Sequence, residues 1–172
     1  TTTSATVRPN LRLCSRPSPN LKLNLKMSPS NKPYALALHG GAGPVPGRNY
    51  DSVEEHLRKL TMECAALLAS GRSSLDVVEI AVTEMENSGL YVAGRGSAPN
   101  TAGYVELDAS IMHGPSREAG AVAAMAGFQN PIHIARGVME KTPHVLLAGL
   151  GAQAFARKYS YTEITNPDSY YV

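Results

Sequence analysis

Residues 34–43 read YALALHGGAG: an uncharged run from Tyr34 to Leu38 that passes directly into His39, Gly40, Gly41, Ala42 and Gly43. A short run without charge that ends in glycines has the pattern of a buried strand feeding a loop. Glycines at Gly40, Gly41 and Gly43 admit φ > 0 and allow another group to approach the main chain closely. The junction is therefore a place to build a binding or catalytic site. The plain alternative is a tight turn without chemistry.

Downstream, Ser52 and Glu55 have the spacing of a capping box. Val53, Leu57, Leu60, Cys64 and Leu67 then recur at helical spacing, and Gly71 is placed to end the helix in the left-handed conformation. Ser73 with Asp76 opens a second helix, whose stripe is Val78, Ala81, Val82 and Met85 and which stops at Asn87-Ser88-Gly89. Residues 90–100 form a glycine-containing loop. Val105, Leu107, Ala109 and Ile111 alternate with Glu106, Asp108 and Ser110, a strand with two unlike faces. After the turn Gly114-Pro115-Ser116, the small apolar stretch Ala119–Gly127 is its antiparallel partner. Asn130-Pro131 starts a helix to about Lys141 with Ile132, Ala135, Val138 and Met139 inward. His144–Ala148 reads as a strand, Ala152–Tyr159 as a helix, and the last dozen residues as no clear element. This order predicts layered α/β structure.

Composition sets the outer limits. A chain of 172 residues, 43% hydrophobic and 17% charged, forms one globular domain with a core. It has no apolar run long enough to span a membrane. Cys14 and Cys64 make neither a disulfide framework nor a zinc pattern, and Cys64 falls on an apolar helix face, so a reducing, cytoplasmic setting is the simplest reading. The net charge of +2 comes from residues 1–33, which hold six basic residues and no acid. The remainder is mildly acidic and gives no indication of a nucleic-acid partner. Residues 1–33 are rich in Ser, Thr, Pro and Asn and are expected to be a disordered leader. They read either as an organelle transit peptide or as an extension ahead of a start at Met27.

Several chemistries compete for the glycines. An oxyanion loop at His39-Gly40-Gly41 would need a G-x-S-x-G nucleophile elbow, and there is none. A phosphate loop would need Lys-Ser/Thr after the glycines. Gly149-Leu150-Gly151-Ala152-Gln153-Ala154 matches the G-x-G-x-x-A of a nucleotide-binding α/β module, but the ribose-binding acid expected about twenty residues on is missing, since Glu163 and Asp168 come early.

The fuller pattern is HGGAG after a strand, two capped helices, LYVAGRGSAPNTAGYVELDASIM, AGAVAAMAG, NPIHIARGVMEKTPHV and GLGAQAFA. Together these motifs resemble the N-terminal half of the plant-type asparaginases and isoaspartyl peptidases, which are N-terminal-nucleophile hydrolases. The resemblance runs from about Tyr34 to Tyr159. Glycosylasparaginases and threonine aspartases are sister groups, and the HGG and NPIHIARGVMEKTPHV blocks fit the asparaginase branch better. The resemblance implies a four-layer αββα sandwich in which residues 34–160 are the α-subunit region and 161–172 begin a linker. It implies self-cleavage before a threonine that becomes the nucleophile, with its own amine, of pKa about 8, as base. The implied substrates are asparagine and isoaspartyl peptides, the implied partner is a β half, and the complete assembly is (αβ)2, with no nucleic acid and no membrane.

For the site, the resemblance implies an active-site loop at His39, Gly40 and Gly41, with His39 orienting the glycines by hydrogen bonding. It implies no organic cofactor. It does imply a structural sodium ion on the carbonyl oxygens of Met85, Glu86, Ser88, Tyr91, Ala93 and Arg95, hard ligands for a hard cation. An ordinary irregular loop is the alternative there. The chain departs from the pattern in having Val92 where the family carries Asn and His113 where an acid is usual. It also lacks a G-T-V-G-like strand, so the nucleophile threonine and the substrate-gripping Arg and Asp are expected on a half that this chain does not include. No catalytic residue is therefore assigned within it. Thr1 heads a polar tail far from any core element and cannot be held rigidly as a nucleophile. The alternative reading from another class is a non-catalytic truncated product that binds a partner.

Overall fold

In a computed structural model of the chain, which describes residues 4–7, 33–41 and 45–172, the alternating stretch after residue 105 forms strand β3, Leu107–His113. It pairs antiparallel with β4, Glu118–Met125, and β4 pairs in parallel with β5, Leu146–Ala148. The sheet order is β3-β4-β5. Helix α3, Pro131–Lys141, and helix α4, Gly149–Lys158, cover one face of this sheet. Leu107, Ile111, Val122, Met125, Phe128, Ile132, Ile134, Val138 and Phe155 form the main core between them. The opposite face carries Asp108, Ser110, Met112, Leu146 and Ala148, all exposed, with Met112 at 61%.

Small residues let α3 lie very close to β4. A Cβ at Gly120 would collide with the Ala135 carbonyl oxygen and stand 2.6 Å from the Met139 amide nitrogen. The β3–β4 ladder slips between Leu107 and Ala109, where Ala124 takes φ 50°. The Ala124 N–H that leaves the ladder donates to the Asp108 carboxylate at 2.8 Å. The irregularity is therefore held by a side chain acting in place of the lost backbone acceptor.

A second cluster joins strand β2, Leu36–His39, to helices α1, Asp51–Ala69, and α2, Ser74–Ser88. Leu36, Leu60, Cys64, Val77 and Ala81 are buried in it. Both helix ends follow the glycine rule. After α1, Gly71 N–H donates to Leu68 C=O and Arg72 N–H to Leu67 C=O, the paired bonds of a Schellman cap. After α2, Gly89 is left-handed at φ 71°. At the start of α2, Ser73 Oγ accepts from Asp76 N–H at 3.1 Å, as its spacing predicts.

The mixed helix-and-strand architecture is the one expected, with local corrections. The capping box at Ser52 and Glu55 does not form. Helix α1 starts two residues earlier, at Asp51 with Tyr50 at its N-cap, Asn49 Oδ1 accepts the Asp51 N–H at 2.7 Å, and Glu55 pairs with Arg58. Val78 is 42% exposed, because α2 is turned so that Val77 faces the core. Only Leu36 of the Tyr34–Leu38 run is buried, since α1 covers one side of β2. Strand β5 is shorter than 144–148 and α4 begins earlier than Ala152, so Gly149 and Gly151 lie in its first turn. The final residues include a short helix α5, Pro167–Tyr170. No regular structure was expected at the amino terminus, but Ser4–Val7 forms strand β1, antiparallel to β2 with Ser4 opposite His39. The free edge of β2 is a ready template for such pairing. The rest of the expected leader, with Thr1, Cys14 and Met27, lies outside the described residues. Among those that are described, no helix is long and apolar enough to cross a membrane.

Two substitutions test this packing by urea or thermal unfolding. Gly120→Ala forces β4 and α3 apart and is expected to lower stability by about 1–3 kcal/mol. Ser160 occupies the left-handed position of the α4 Schellman cap, with φ 57° and Tyr161 N–H donating to Ala156 C=O at 3.1 Å. Ser160→Gly relieves the side-chain strain there and is expected to raise stability by about 0.5–1 kcal/mol.

Candidate functional site

Strand β2 ends at His39, and its next two residues turn under the control of their neighbours. Gly41, at φ 111°, donates its N–H to His39 Nδ1 at 3.2 Å. A Cβ at Gly40 would stand 3.0 Å from Leu57 Cδ1 and 3.1 Å from Tyr91 Cε1. Gly40 is thus wedged between α1 and the loop that follows α2. Ala42, Gly43 and Pro44 lie outside the described residues.

That second loop folds back on the end of α2. Met85, Glu86 and Ser88 are its helical side, Leu90–Ala93 is irregular, and Gly94–Gly96 makes one 3-10 turn. Gly94, at φ 54°, sits so close to the helix that a Cβ would meet the Glu86 carbonyl oxygen and stand 2.6 Å from Glu86 Cα. A Cβ at Gly96 would meet the Tyr91 carbonyl oxygen and lie 2.8 Å from that of Gly89. Both oxygens thus crowd Gly96, where only a glycine fits. The Met85 carbonyl accepts from Ser88 Oγ at 2.8 Å, that of Ala93 from Gly96 N–H at 3.2 Å, and that of Arg95 from Val172 N–H at 2.9 Å. Each retains a second lone pair. Neutral carbonyl oxygens are the ligand type that a hard cation takes.

Two side chains that the sequence reading did not single out tie the loops together. His56, on α1, has Nδ1 2.8 Å from the Tyr91 hydroxyl. Burial pushes that hydroxyl up to about 12, so it stays protonated in its contact with the imidazole. The Glu86 carboxyl, 3% exposed, is pushed up to about 7 by burial. Hydrogen bonds from Asn130 and from the Ile132 backbone and the charge of His133 partly offset the shift. Asn130 stands at the N-cap of α3 as the sequence predicts, but at φ 45° and without a side-chain capping bond, and it donates from Nδ2 to Glu86 Oε2 at 3.1 Å and to Asn87 Oδ1 at 2.9 Å. A polar residue ahead of proline signals a helix start, and nothing local signals that its amide turns to a distant carboxyl.

A second polar cluster bridges α2 and α3. Arg136 donates from Nη1 to Asp76 at 2.8 Å and to Glu79 at 2.6 Å, and from Nε to Glu140 at 2.7 Å. The Ser73 hydrogen bond first, and Arg136 next, hold the Asp76 carboxyl below its usual range. His133 stands 2.8 Å from Glu79 Oε1 through Nδ1 and 3.3 Å from Thr83 Oγ1 through Nε2. The Thr–His–Glu order is that of a nucleophilic triad, but the chemistry does not follow. Thr83 already donates its hydroxyl proton to Glu79 C=O at 2.8 Å and lies inside a helix whose N–H groups are bonded along it. Gly149 and Gly151 are also without close approach, since a Cβ at either meets nothing within 4 Å.

Comparison with known proteins gives a consistent picture. The family model described as Asparaginase matches residues 32–171. The probable isoaspartyl peptidase/L-asparaginase 2 of Arabidopsis thaliana is 44% identical over 137 residues, covering 77% of this chain and 42% of that protein. The plant-type L-asparaginase of Pyrococcus abyssi is 45% identical over 130 residues, 75% of this chain and 42% of its own length. The isoaspartyl peptidase/L-asparaginase of Rattus norvegicus is 46% identical over 123 residues, 70% and 37% respectively. The chain thus spans well under half the length of these curated relatives.

The buried carboxyl makes a signed prediction. Glu86 titrates near 7 folded and near 4.5 unfolded, so between those pH values the folded state holds the extra proton. Stability is therefore expected to fall as pH rises from 4.5 to 7, by about 3 kcal/mol from this group, and to stay lower above. Glu86→Gln removes that slope. Urea unfolding of both chains at pH 5 and pH 8 checks it, and equal slopes would refute the assignment.

Proposed function

The chain belongs to the asparaginase family, and from that premise we propose that it is the α portion of an amide hydrolase acting on asparagine or isoaspartyl peptides. The observation that carries the reading is the family match over residues 32–171. Relatives from a plant, an archaeon and a mammal, each 44–46% identical to the chain, support the same reading. Both reactions release an amine from the side-chain carbonyl of an aspartyl unit, so one nucleophile serves both.

In this reading, self-cleavage of a longer precursor frees a threonine on a β half, and two copies of each half form an (αβ)2 assembly in the cytoplasm. The threonine hydroxyl attacks the amide carbon while its own amine takes the proton, that proton passes to the leaving nitrogen as the C–N bond breaks and ammonia or the peptide amine departs, and water then hydrolyses the acyl-threonine ester. The residues of this chain contribute scaffold. His39 accepts the Gly41 N–H and holds the turn, and Gly40 brings that turn against Tyr91. A sodium ion on the carbonyls of Met85, Glu86, Ser88, Tyr91, Ala93 and Arg95 would fix the neighbouring loop and supply no chemistry to the bond that breaks. The exposed face of the β3-β4-β5 sheet is the surface a β half would cover. Val92 is 87% exposed, at the position where the family pattern has an amide.

Ammonia release from asparagine tests the proposal. The purified chain alone is expected to give none. Co-expressed with the β half of a related enzyme, it is expected to gain solubility and turnover, and Val92→Asn should raise that turnover about tenfold, the worth of one polar contact. Release by the chain alone, abolished by blocking its terminal amine, would overturn the assignment of the nucleophile to a separate half.

A further inference from the structure

We propose that residues 166–172 form a strap that locks the loop Gly89–Gly96, with Arg95 as its clasp, and that the docked strap, acting through Tyr91, sets the order of the Gly40–Gly41 turn. The proposal does not rest on the hydrolase reading. It rests on contacts that converge on the loop from residues 75 or more positions away in the chain.

Arg95 is held on three sides. Its Nε donates to the Tyr170 carbonyl at 3.1 Å, and its Nη1 reaches the Asn87 carbonyl at 3.4 Å. Its guanidinium lies 5.8 Å from the centre of the Tyr170 ring. The main chain answers in the other direction, because Val172 N–H donates to the Arg95 carbonyl at 2.9 Å. One residue thus both gives to and takes from the strap. Val172 also presses on the far end of the loop, since a Cβ at Gly89 would stand 2.6 Å from Val172 Cγ2. Tyr171 packs against the main core, and the Tyr170 and Tyr171 rings meet edge to face at 5.1 Å. The strap is therefore anchored in the body of the protein while it grips both ends of the loop.

From the loop, the path to the glycine turn is short. Tyr91 is buried, its hydroxyl bonds to His56, and its ring would meet any Cβ placed on Gly40. The loop has no ladder of its own to hold it. Its internal backbone bonds are the 3.2 Å contacts from Gly96 to Ala93 and from Ser97 to Gly94. Such a segment opens locally at low cost unless something outside secures it. Tyr170 brings a liability, because its hydroxyl is buried and has no hydrogen-bond partner. The ring and the carbonyl of Tyr170 therefore do the holding, and its hydroxyl does not.

Amide hydrogen exchange by NMR on the full 172-residue chain tests this. Arg95→Ala is expected to speed exchange at Gly96, Ser97 and Val172 at least about tenfold, as loss of the clasp lowers the cost of local opening. It should also shift the Gly40 and Gly41 resonances and leave β4 and α4 unchanged. Tyr170→Phe, which keeps ring and carbonyl, should exchange like the parent. If Arg95→Ala does not fold, Arg95→Lys carries the same comparison, since an ammonium keeps the charge but loses the guanidinium fork. Unchanged exchange in the loop, acceleration spread evenly over β4 and α4, or loosening by Tyr170→Phe would each overturn the strap. Loop acceleration without any change at Gly40 and Gly41 would overturn its coupling to the turn.

Discussion

Helix α3 rests on β4 with so little separation that the strand has no room for a side chain at Gly120, and most of the chain takes its position from that contact. The inner face of α3 supplies Ile132, Ile134, Ala135 and Val138 to the main core. Each large aliphatic side chain buried there contributes about 1.5–3 kcal/mol. The outer face of α3 is what fixes α2. Arg136 gathers Asp76 and Glu79 of α2, His133 pairs with Glu79, and Asn130 reaches the Glu86 carboxyl just ahead of α3. A helix packed on the sheet by apolar contact thus aims its polar groups at a second helix, and the end of that second helix carries the candidate loop.

The electrostatics of this second contact differ along its length. Near Arg136 one guanidinium faces three partly exposed carboxylates, so each exposed pair adds little and the cluster acts more as a register than as glue. At Glu86 burial prevails. A carboxyl is buried there, and the Asn130 amide, a backbone N–H and the charge of His133 offset its burial only in part, so it holds its proton to about 7. Burying an acid where a neutral residue would fit costs stability at neutral pH. That cost is incurred next to a loop built from carbonyl oxygens rather than in the core at large.

Much of the layer order was legible in the residues themselves. The Val105–Ile111 alternation, the glycines ending α1 and α2, Ser73 as a cap and Pro131 opening α3 each encode a local rule, and the chain follows it. The misses have a common cause. Val77 rather than Val78 faces inward because a helix stripe is wide enough for either, and the neighbouring element decides. The Ser52 capping box gives way to a start at Asp51 because helix starts within one turn of each other differ by less than the packing that selects between them. His56, Glu86 and Asn130 were invisible as a group because their partners lie 35 to 44 positions away. The glycine loop was found early, since glycine announces close approach, but the residue that presses on Gly40 was not, since Tyr91 announces only burial.

The uncovered side of the sheet has a consequence for the life of this chain in a cell. Val145, Leu146 and Leu150 stand exposed around the parallel edge strand β5, and Met112 stands on the open face beside alanines. An apolar edge strand whose outer N–H and C=O groups have no ladder partner is the kind of surface that chaperones hold and that templates intermolecular strand addition. When it is synthesised without something to lie against that surface, the chain is a client of the proteostasis machinery before it is anything else. Its abundance would then follow how quickly that surface is covered rather than its own rate of translation.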